Sequence, residues 1–237
     1  MSESAPPAIR IRRLAKSFTL HNQGGVTLPV LRRLSLRVDA GECVVLTDPS
    51  GSGKSTLLRT IFGNYKPQGG EILVRHGDRL VDVVSAEPRQ IMDLRRRTMG
   101  YVSQFLRVIP RVPAVAVVAE PLRALGVGRA DAIERARAIL GRLRIPERLW
   151  ELSPVTFSGG EQQRVNVGRG FIAGHPILLL DEPTASLDAA SRAIVVQLIR
   201  EARESGTALL GTFHDADVRD MVATRVVSLA EAETEAA

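Results

Sequence analysis

The sequence FSGGEQQR, at Phe157 to Arg164, is the most informative stretch of this 237-residue chain. A Ser-Gly-Gly run that opens a polar helix presents free backbone N–H groups, and such groups bind phosphate at a helix N-terminus. A second glycine-rich loop, PSGSGKST, lies upstream at Pro49 to Thr56. Downstream, the acidic pair Asp181-Glu182 follows the apolar run Ile177 to Leu180. Together these three motifs indicate chemistry on a nucleoside triphosphate.

Length and composition are those of an ordinary globular protein. With 44% hydrophobic and 24% charged residues, the chain can bury a core, and we expect one domain with a helical insertion. The net charge is +6, and of 32 basic residues only Lys16, Lys54 and Lys66 are lysine. This skew indicates a preference for arginine codons more than a nucleic-acid patch. We therefore expect no nucleic-acid partner.

Three features bear on the cellular compartment. The single cysteine, Cys43, allows no internal disulfide. The N-terminal sequence MSESAPPAIR lacks the apolar centre of a signal peptide. No apolar run reaches the roughly 18 residues that a membrane span needs. We expect a cytoplasmic protein with no direct membrane insertion.

The pattern of apolar residues predicts an α/β fold with a mixed sheet core. Apolar–polar alternation predicts edge strands around the central strand Cys43 to Leu46, and a hairpin of Glu71 to Arg75 with Leu80 to Val84. After residue 177, strands alternate with helices, which predicts a parallel sheet covered by helices. Those elements are a helix at Leu187 to Glu204, a strand at Ala208 to Phe213, a helix at Asp215 to Ala223 and a strand at Arg225 to Leu229.

These elements divide the single domain 1–237 into parts. The parts are a β subdomain with the phosphate loop at about 8–88, a helical subdomain at about 89–158, the second half of the α/β core at about 159–230, and a disordered tail at 231–237.

The upstream loop is predicted to hold the phosphates. Its glycines let successive backbone amides point inward, Lys54 reaches the outer phosphates, and Ser55 is placed to bind magnesium. The predicted nucleotide-binding residues of this loop are Ser50, Gly51, Ser52, Gly53, Lys54, Ser55 and Thr56.

One residue departs from the strict pattern G-x-x-x-x-G-K-[ST]. Asp48 occupies the first glycine position. A carboxylate about 8 Å from a phosphate charge repels it by roughly 2 kcal/mol at an effective dielectric near 20. Unless the carboxylate points away, we expect weakened but retained ATP binding, which Asp48→Gly would strengthen.

The acidic pair is predicted to carry the chemistry. Asp181 is placed to hold the magnesium shell, and Glu182 to polarise the attacking water. Alone, an Asp-Glu pair after four aliphatic residues is more often a turn that ends a strand. The continuation PTASLD, at Pro183 to Asp188, favours the catalytic interpretation.

With these motifs in this order, the chain resembles the ATP-binding cassette (ABC) ATPases over essentially its whole length. These are P-loop NTPases with an antiparallel β subdomain and a helical subdomain. The resemblance implies that Gln104 touches magnesium and the water, that His214 contacts the γ-phosphate, and that Phe18 stacks on adenine. It also makes Asp188 an interfacial aspartate, although Ala185-Ser186 reverses the family's usual order. Without the resemblance, each residue has a plain structural explanation.

Ser158, Gly159 and Gly160 match the signature that, in this family, closes over ATP bound to the opposite subunit. Both phosphate binders are helix N-termini, whose partial positive charge is useful only at close range. We therefore expect a head-to-tail homodimer that sandwiches two ATP molecules and reopens on hydrolysis.

Longer stretches resemble one branch, the L-type ATPase of the bacterial carbon-phosphorus (C-P) lyase system for phosphonate breakdown. They are TLHNQGGVTLPVL, FGNYKP, RRRTMGYVSQFLRVIPRV, IPERLW and TFSGGEQQRVNVGRGF followed by HPILLLDEPTASLD. The branch implies a subunit that supports ATP-dependent formation of ribose 1-phosphonate 5-triphosphate, with the K-type ATPase and other lyase subunits as partners. The segment Phe105 to Val118 is where family members meet a partner, although a buried loop explains its apolar residues equally well.

Other functions stay open. The Gln104 region also resembles that of lipoprotein- and macrolide-exporting cassettes, so an ABC transporter ATPase that copurifies with a permease is the main alternative. A nucleic-acid-associated cassette has only the +6 charge in its favour. A non-enzymatic scaffold that responds to nucleotide would show no magnesium-dependent phosphate release.

Overall fold

The computed structural model describes residues 6–20, 24–106 and 110–234, which form two β-sheets and the helices that cover them. The strands are β1 Ile9–Leu20, β2 Val26–Val38, β3 Cys43–Leu46, β4 Gly69–His76, β5 Arg79–Asp82, β6 Met99–Val102, β7 Ile177–Asp181, β8 Ala208–Thr212 and β9 Arg225–Val227. The helices are α1 Lys54–Ile61, α2 Pro88–Arg97, α3 Ala114–Ala124, α4 Arg129–Arg142, α5 Gly159–Phe171, α6 Ala189–Glu204, α7 Ala216–Val222 and α8 Leu229–Thr234.

The parallel sheet positions the functional residues. Its strand order is β6-β7-β8-β3-β9. Strands β3, β7 and β8 are buried along their whole length, because helices cover one face and α1 with the antiparallel sheet covers the other. Carboxyl ends of parallel strands meet at one edge, where ligands of open α/β sheets bind. The phosphate loop follows β3 at this edge, Asp181 ends β7, and His214 follows β8.

The sheet separates two hydrophobic cores. Successive side chains of a strand point to opposite faces, so Leu178 and Leu180 of β7 enter the core shared with α3, α4, α5 and α6. Ile177 and Leu179 enter the other core, which α1 shares with the antiparallel sheet β2-β1-β4-β5. The helical part and the antiparallel sheet therefore pack on opposite faces of the parallel sheet.

The predicted fold class, α/β with a mixed sheet core, is confirmed. Several boundaries are shifted. The hairpin strand predicted to run to Val84 ends at Asp82, because that carboxylate accepts hydrogen bonds from Val84 N at 3.1 Å and Ser85 Oγ at 2.7 Å, which fold the chain into a turn. The helix predicted from Leu187 begins at Ala189, because the Asp188 carboxylate caps it.

The C-terminal segment differs most from the sequence prediction. The strand predicted to reach Leu229 ends at Val227, and most of the tail predicted as disordered belongs to α8. The prediction for 231–234 was therefore wrong, and residues 235–237 lie outside the described part of the chain. Leu229 and Ala232 are buried in the core that α1 shares, so an apolar contact holds this acidic segment in place. Among the described helices, none is long and apolar enough to cross a bilayer.

The contact between α5 and β6 gives a test of the packing. A Cβ added at Gly170 would lie 2.3 Å from Val102 Cγ2. We expect Gly170→Ala to lower the free energy of unfolding by about 1–3 kcal/mol through overpacking, measured by urea denaturation. Gly69→Ala is the control, since its Cβ would meet nothing within 4 Å. Equal denaturation midpoints for the two variants would contradict the described packing.

Candidate functional site

The phosphate loop has a backbone that only glycine adopts easily. Gly51 and Gly53 have φ angles of 84° and 107°, in the region that other residues rarely enter. A Cβ at Gly53 would also lie 2.7 Å from Val30 Cγ1. Gly53 precedes α1 without a side chain that caps the helix. The first N–H groups of α1 are thus free of a capping side chain, as a phosphate-binding helix start requires.

Lys54 lies against its own loop. Its ammonium group donates hydrogen bonds to the backbone oxygens of Asp48 and Pro49, the latter at 2.9 Å, and lies 3.5 Å from Ser52 Oγ. These acceptors are neutral oxygen atoms. The positive charge of Lys54 is therefore not cancelled within the loop and stays available to an anionic group.

Asp181 joins the loop to the end of β7. Its side chain is fully buried and accepts hydrogen bonds from Ser55 Oγ at 2.7 Å, Tyr101 OH at 3.0 Å and Thr212 Oγ1 at 3.4 Å. Burial, and then the charge of Asp181, raise the pKa of Tyr101, so the phenol stays protonated as a donor. The structure thus brings together Ser55 and Asp181, two residues far apart in sequence.

The donor set fits magnesium. Hydroxyl and carboxylate oxygens are its preferred ligands, and Mg²⁺ is usually bound by one or two carboxylates together with substrate phosphates and water. Ser55 Oγ and Asp181 Oδ1 provide such a pair at the mouth of the loop. Within the described residues, no cluster of three or more His, Cys, Asp or Glu side chains forms a metal cage.

Glu182 has an unusual backbone conformation. Its φ of 52° is uncommon for a residue other than glycine, and such conformations concentrate at functional sites. Thr212 fixes it, because Glu182 N donates to the Thr212 O and Oγ1 atoms at 3.2 and 3.1 Å. Gln104 Nε2 donates to Glu182 Oε2 at 3.1 Å. Gln104 thereby holds the Glu182 carboxylate, one residue after Asp181.

Sequence reasoning missed two buried amides that support this arrangement. Gln163 Nε2 donates to the backbone oxygens of Glu182 and Pro183 at 3.3 and 3.1 Å. Asn166 Nδ2 donates to Ser103 O, beside Gln104. Both amides lie on α5, so that helix positions the segments around both ends of the Gln104–Glu182 hydrogen bond. The sequence held a signal for Gln163, which belongs to the FSGGEQQR stretch, but the stretch alone does not assign a role to this glutamine.

The signature residues form a capped helix start. Ser158 Oγ accepts a hydrogen bond from Glu161 N at 3.3 Å and donates to Glu161 Oε2 at 2.7 Å, and Ser158 N donates to the same carboxylate at 2.9 Å. These hydrogen bonds lower the pKa of Glu161. Ser158 and Gly159 are exposed, and a Cβ at Gly159 would meet nothing within 4 Å. No hydrogen bond between described residues joins this helix start to the phosphate loop.

The remaining predicted site residues lie around this centre. His214 is exposed in the loop after β8. Asp188 caps α6 by accepting from Ser191 N at 2.7 Å, a bond that lowers its pKa. Phe18 on β1 packs edge-on against Tyr65 at 5.3 Å, and Lys16 Nζ lies 4.6 Å from the centroid of its ring. Phe18 thus already has an aromatic and a cationic neighbour, and its stacking on adenine stays a prediction.

Asp48 turns its carboxylate toward the C-terminal segment. The carboxylate accepts hydrogen bonds from Ser228 Oγ at 3.0 Å and Leu229 N at 2.8 Å. The backbone φ angle of Asp48 lies outside the left-handed region that Gly51 and Gly53 of this loop occupy. The backbone thus needs no glycine at this position, and the Asp48 side chain has partners of its own.

A separate cavity, here called the basic groove, has a volume of about 920 Å³ and lies between α2, β6, α3 and α5. Its charged lining consists of six arginines, Asp93 and Glu120, the arginines being Arg79, Arg89, Arg95, Arg96, Arg97 and Arg169. His175 also lines it and is buried, and its Nδ1 has no hydrogen-bond partner among the described residues. The groove is therefore suited to an acidic group.

A stack of rings links the basic groove to Asp181. The Arg95 guanidinium lies 4.8 Å from the centroid of the Phe62 ring, and Phe62 stacks on Tyr101 with centroids 5.1 Å apart. Tyr101 OH in turn donates to Asp181. A continuous set of packed side chains therefore connects the groove to the predicted magnesium ligand.

Comparison with known proteins identifies the family. A family model described as ABC transporter matches residues 31–185, which include the phosphate loop, Gln104, the signature and the acidic pair. The chain belongs to the ABC transporter family. The lipoprotein-releasing system ATP-binding protein LolD of Shewanella sp. (strain MR-4) is 38% identical over 208 residues, which are 87% of each chain.

Other similarities support an ATP-binding cassette. An uncharacterized ABC transporter ATP-binding protein of Mycobacterium tuberculosis is 37% identical over 206 residues, and this chain spans 61% of its length. The dimeric structure of a post-hydrolysis state of an ATP-binding cassette bound to ADP and Pi superposes with a TM-score of 0.84, at 28% identity and 93% coverage of both chains. The predicted ABC ATPase fold is confirmed, and the cassette is an ATP-binding ATPase domain.

His175 gives the cassette a predictable pH dependence. Burial lowers the pKa of His175 to about 4, whereas an unfolded histidine titrates near 6.5. Between these values the unfolded chain binds the proton and the folded chain does not, so stability falls as the pH falls. We expect this group to remove about 3 kcal/mol of unfolding free energy between pH 7 and pH 4.

Urea denaturation of the parent and of His175→Gln at both pH values checks this expectation. His175→Gln removes the titration of this histidine and keeps the carboxylates that titrate in the same pH range. Between pH 7 and pH 4 its free energy of unfolding should therefore fall by about 3 kcal/mol less than that of the parent. Equal losses in the two proteins would show that His175 contributes no pH dependence.

Proposed function

We propose that the protein hydrolyses magnesium-ATP as a head-to-tail dimer and that closing and reopening of the dimer drive a partner assembly. The observation that carries this proposal is the 2.7 Å hydrogen bond between Ser55 and Asp181, with Glu182 held beside it by Gln104. A phosphate loop, two magnesium-compatible oxygens and a fixed carboxylate at one sheet edge are the parts that phosphoryl transfer to water uses.

We assign the following roles from this arrangement and from the resemblance to ABC ATPases. Ser55, Asp181 and Gln104 would hold Mg²⁺, which neutralises charge on the phosphate oxygens when bound. The loop amides and Lys54 bind the outer phosphates. Glu182 orients a water toward the γ-phosphorus and takes its proton as the bond to the ADP oxygen breaks. Two further roles rest on the family resemblance. His214 would contact the γ-phosphate, and Phe18 would stack on the adenine.

The second phosphate binder supports a dimer. Ser158 and Gly159 lie exposed at the start of a capped helix. In the described part of the chain, no atom lies close enough to Gly159 to exclude a side chain there. The capping box uses the N–H groups of Ser158 and Glu161 and leaves those of Gly159 and Gly160 for an anion, which the start of a helix binds at close range. In the proposed dimer, Ser158, Gly159 and Gly160 of one copy face the ATP on Lys54 of the other, with Asp188 at the interface. The superposable cassette is itself dimeric, which agrees with this arrangement.

Glu182→Gln separates hydrolysis from binding. The amide keeps an acceptor for Gln104 but cannot take a proton, so we expect magnesium-dependent phosphate release to fall by at least about 100-fold while ATP binding persists. The variant should also accumulate as an ATP-dependent dimer, measured by light scattering after size exclusion. Glu151→Gln is the control, since this exposed carboxylate pairs with Arg137 away from the site.

Two outcomes would contradict the proposal. One is phosphate release by Glu182→Gln at the parent's rate. The other is a variant that stays monomeric at saturating ATP and magnesium and that forms no dimer with a second ATPase.

For the partner, the names of the relatives favour a membrane permease, since several are macrolide export ATP-binding/permease proteins. The lipoprotein-releasing relative is the ATP-binding protein of a release system, and a transport ATPase is the function that such relatives support best. Two surfaces of this chain suit a partner. Phe105, directly after Gln104, has 74% of its surface exposed, and the basic groove matches an acidic partner segment. Residues 114, 115, 117 and 118 of the predicted docking segment are instead buried in the core, and 107–109 lie outside the described residues.

The C-P lyase assignment is the second candidate; it rests on the sequence resemblance, and the relatives support the transport function better. FGNYKP contributes Phe62 to the basic groove, and RRRTMGYVSQ contributes the residues from Arg95 to Arg97 and from Met99 to Tyr101. The stretches that resemble the L-type ATPase therefore lie at a candidate partner surface as well as in the shared motifs. In that context the protein would pair with the K-type ATPase in a phosphonate ribose triphosphate synthase.

Affinity purification distinguishes the two partners. The tagged protein is isolated from cells grown on a phosphonate as the sole phosphorus source, and copurified proteins are identified by mass spectrometry. Lyase subunits would support the C-P lyase assignment, and a permease would support transport. Arg89→Glu should reduce capture of either partner by reversing a groove charge. Arg135→Glu, on the exposed face of α4, is the control, and equal losses in both variants would exclude the groove as the docking surface.

A further inference from the structure

We propose that Asp48 is a positioning residue that ties the phosphate loop to α8, and that this tie strengthens ATP binding. The inference rests on the proposed ATPase function. It reverses the effect expected from sequence, in which the carboxylate weakens binding by repulsion.

The tie consists of three adjacent hydrogen bonds. The Asp48 carboxylate accepts from Ser228 Oγ at 3.0 Å and Leu229 N at 2.8 Å. Immediately before it, Thr47 N donates to Val227 O at 2.9 Å. The residues that enter the phosphate loop are therefore joined, one after another, to the residues that enter α8.

Helix α8, at one end of the tie, is fixed by burial and by a hydrogen bond to β2. Leu229 and Ala232 are buried, and Glu233 Oε1 accepts a hydrogen bond from Arg32 N on β2 at 2.6 Å. The same strand carries Val30, which lies beneath Gly53. Strand β2 thus supports both α8 and the loop, so α8 is a fixed point against which Asp48 anchors the chain.

At the other end of the tie, the backbone of Asp48 contacts Lys54, the residue predicted to bind the outer phosphates. Lys54 donates to the backbone oxygen of Asp48, so one residue holds the lysine through its backbone and α8 through its side chain. A loop that is already ordered binds a ligand with less loss of conformational entropy than a free loop. Glycine at this position would remove the partner of Ser228 and Leu229 and add backbone freedom.

Binding of a fluorescent ATP analogue with magnesium tests this inference. We expect Asp48→Gly, which loses both hydrogen bonds, to weaken binding about tenfold, and Ser228→Ala, which loses one, to weaken it about threefold. Asp48→Asn keeps a side-chain oxygen that can accept from Leu229 N and should fall between the parent and Asp48→Gly. Ser85→Ala is the matched control, because it removes a 2.7 Å hydroxyl-to-carboxylate bond away from the loop and should leave affinity unchanged.

Thermal unfolding without nucleotide, measured on each variant, separates positioning from stability. A dissociation constant of Ser228→Ala equal to that of Ser85→Ala would overturn the inference, even if both proteins melt at lower temperature. Tighter binding by Asp48→Gly would overturn it as well, in favour of repulsion. A parent that binds no ATP would overturn the proposed function and this inference together, whereas unchanged affinity in Ser228→Ala affects the inference alone.

Discussion

The hydrogen bond from Ser55 to Asp181 is the interaction on which the site depends. It joins the start of α1 to the end of β7 at 2.7 Å, and it is possible because β3 and β7 run parallel with β8 between them. The carboxyl ends of these strands then lie side by side, and the loops that follow share one edge. Thr212 Oγ1 on β8 donates to the Asp181 carboxylate and accepts from Glu182 N, so β8 holds the end of β7 in place.

The helical part contributes through α5. This helix is held against β6 by a glycine contact, and its two buried amides reach the segments that carry Gln104 and Glu182. The same helix begins at Ser158 with a capping box. One helix therefore supports the arrangement of Gln104 and Glu182 and also presents the proposed binding surface for the nucleotide of a second copy. This dual role explains why the FSGGEQQR stretch is so informative in the sequence.

Sequence patterns predicted the features that residues close together in the chain form. Glycines at positive φ, a lysine and a hydroxyl residue at fixed spacing are enough to predict a phosphate loop, because neighbouring backbone amides form it. Buried apolar runs likewise predicted the central strands. Such patterns failed where partners are distant in sequence, because no pattern in residues 225–234 reveals that Asp48 and Arg32 bind them. The roles of Gln163 and Tyr101 also depend on strand order, which single-sequence patterns do not specify.

The stacked rings of Phe62 and Tyr101 connect the contents of the basic groove to the buried Asp181 carboxylate. Tyr101 is both a wall of the basic groove and a donor to the buried Asp181 carboxylate. A protein docked in the groove and pressing on Phe62 would shift the phenol and change the polarity around that carboxylate. The stacked rings therefore make the surroundings of the Asp181 carboxylate sensitive to what occupies the groove.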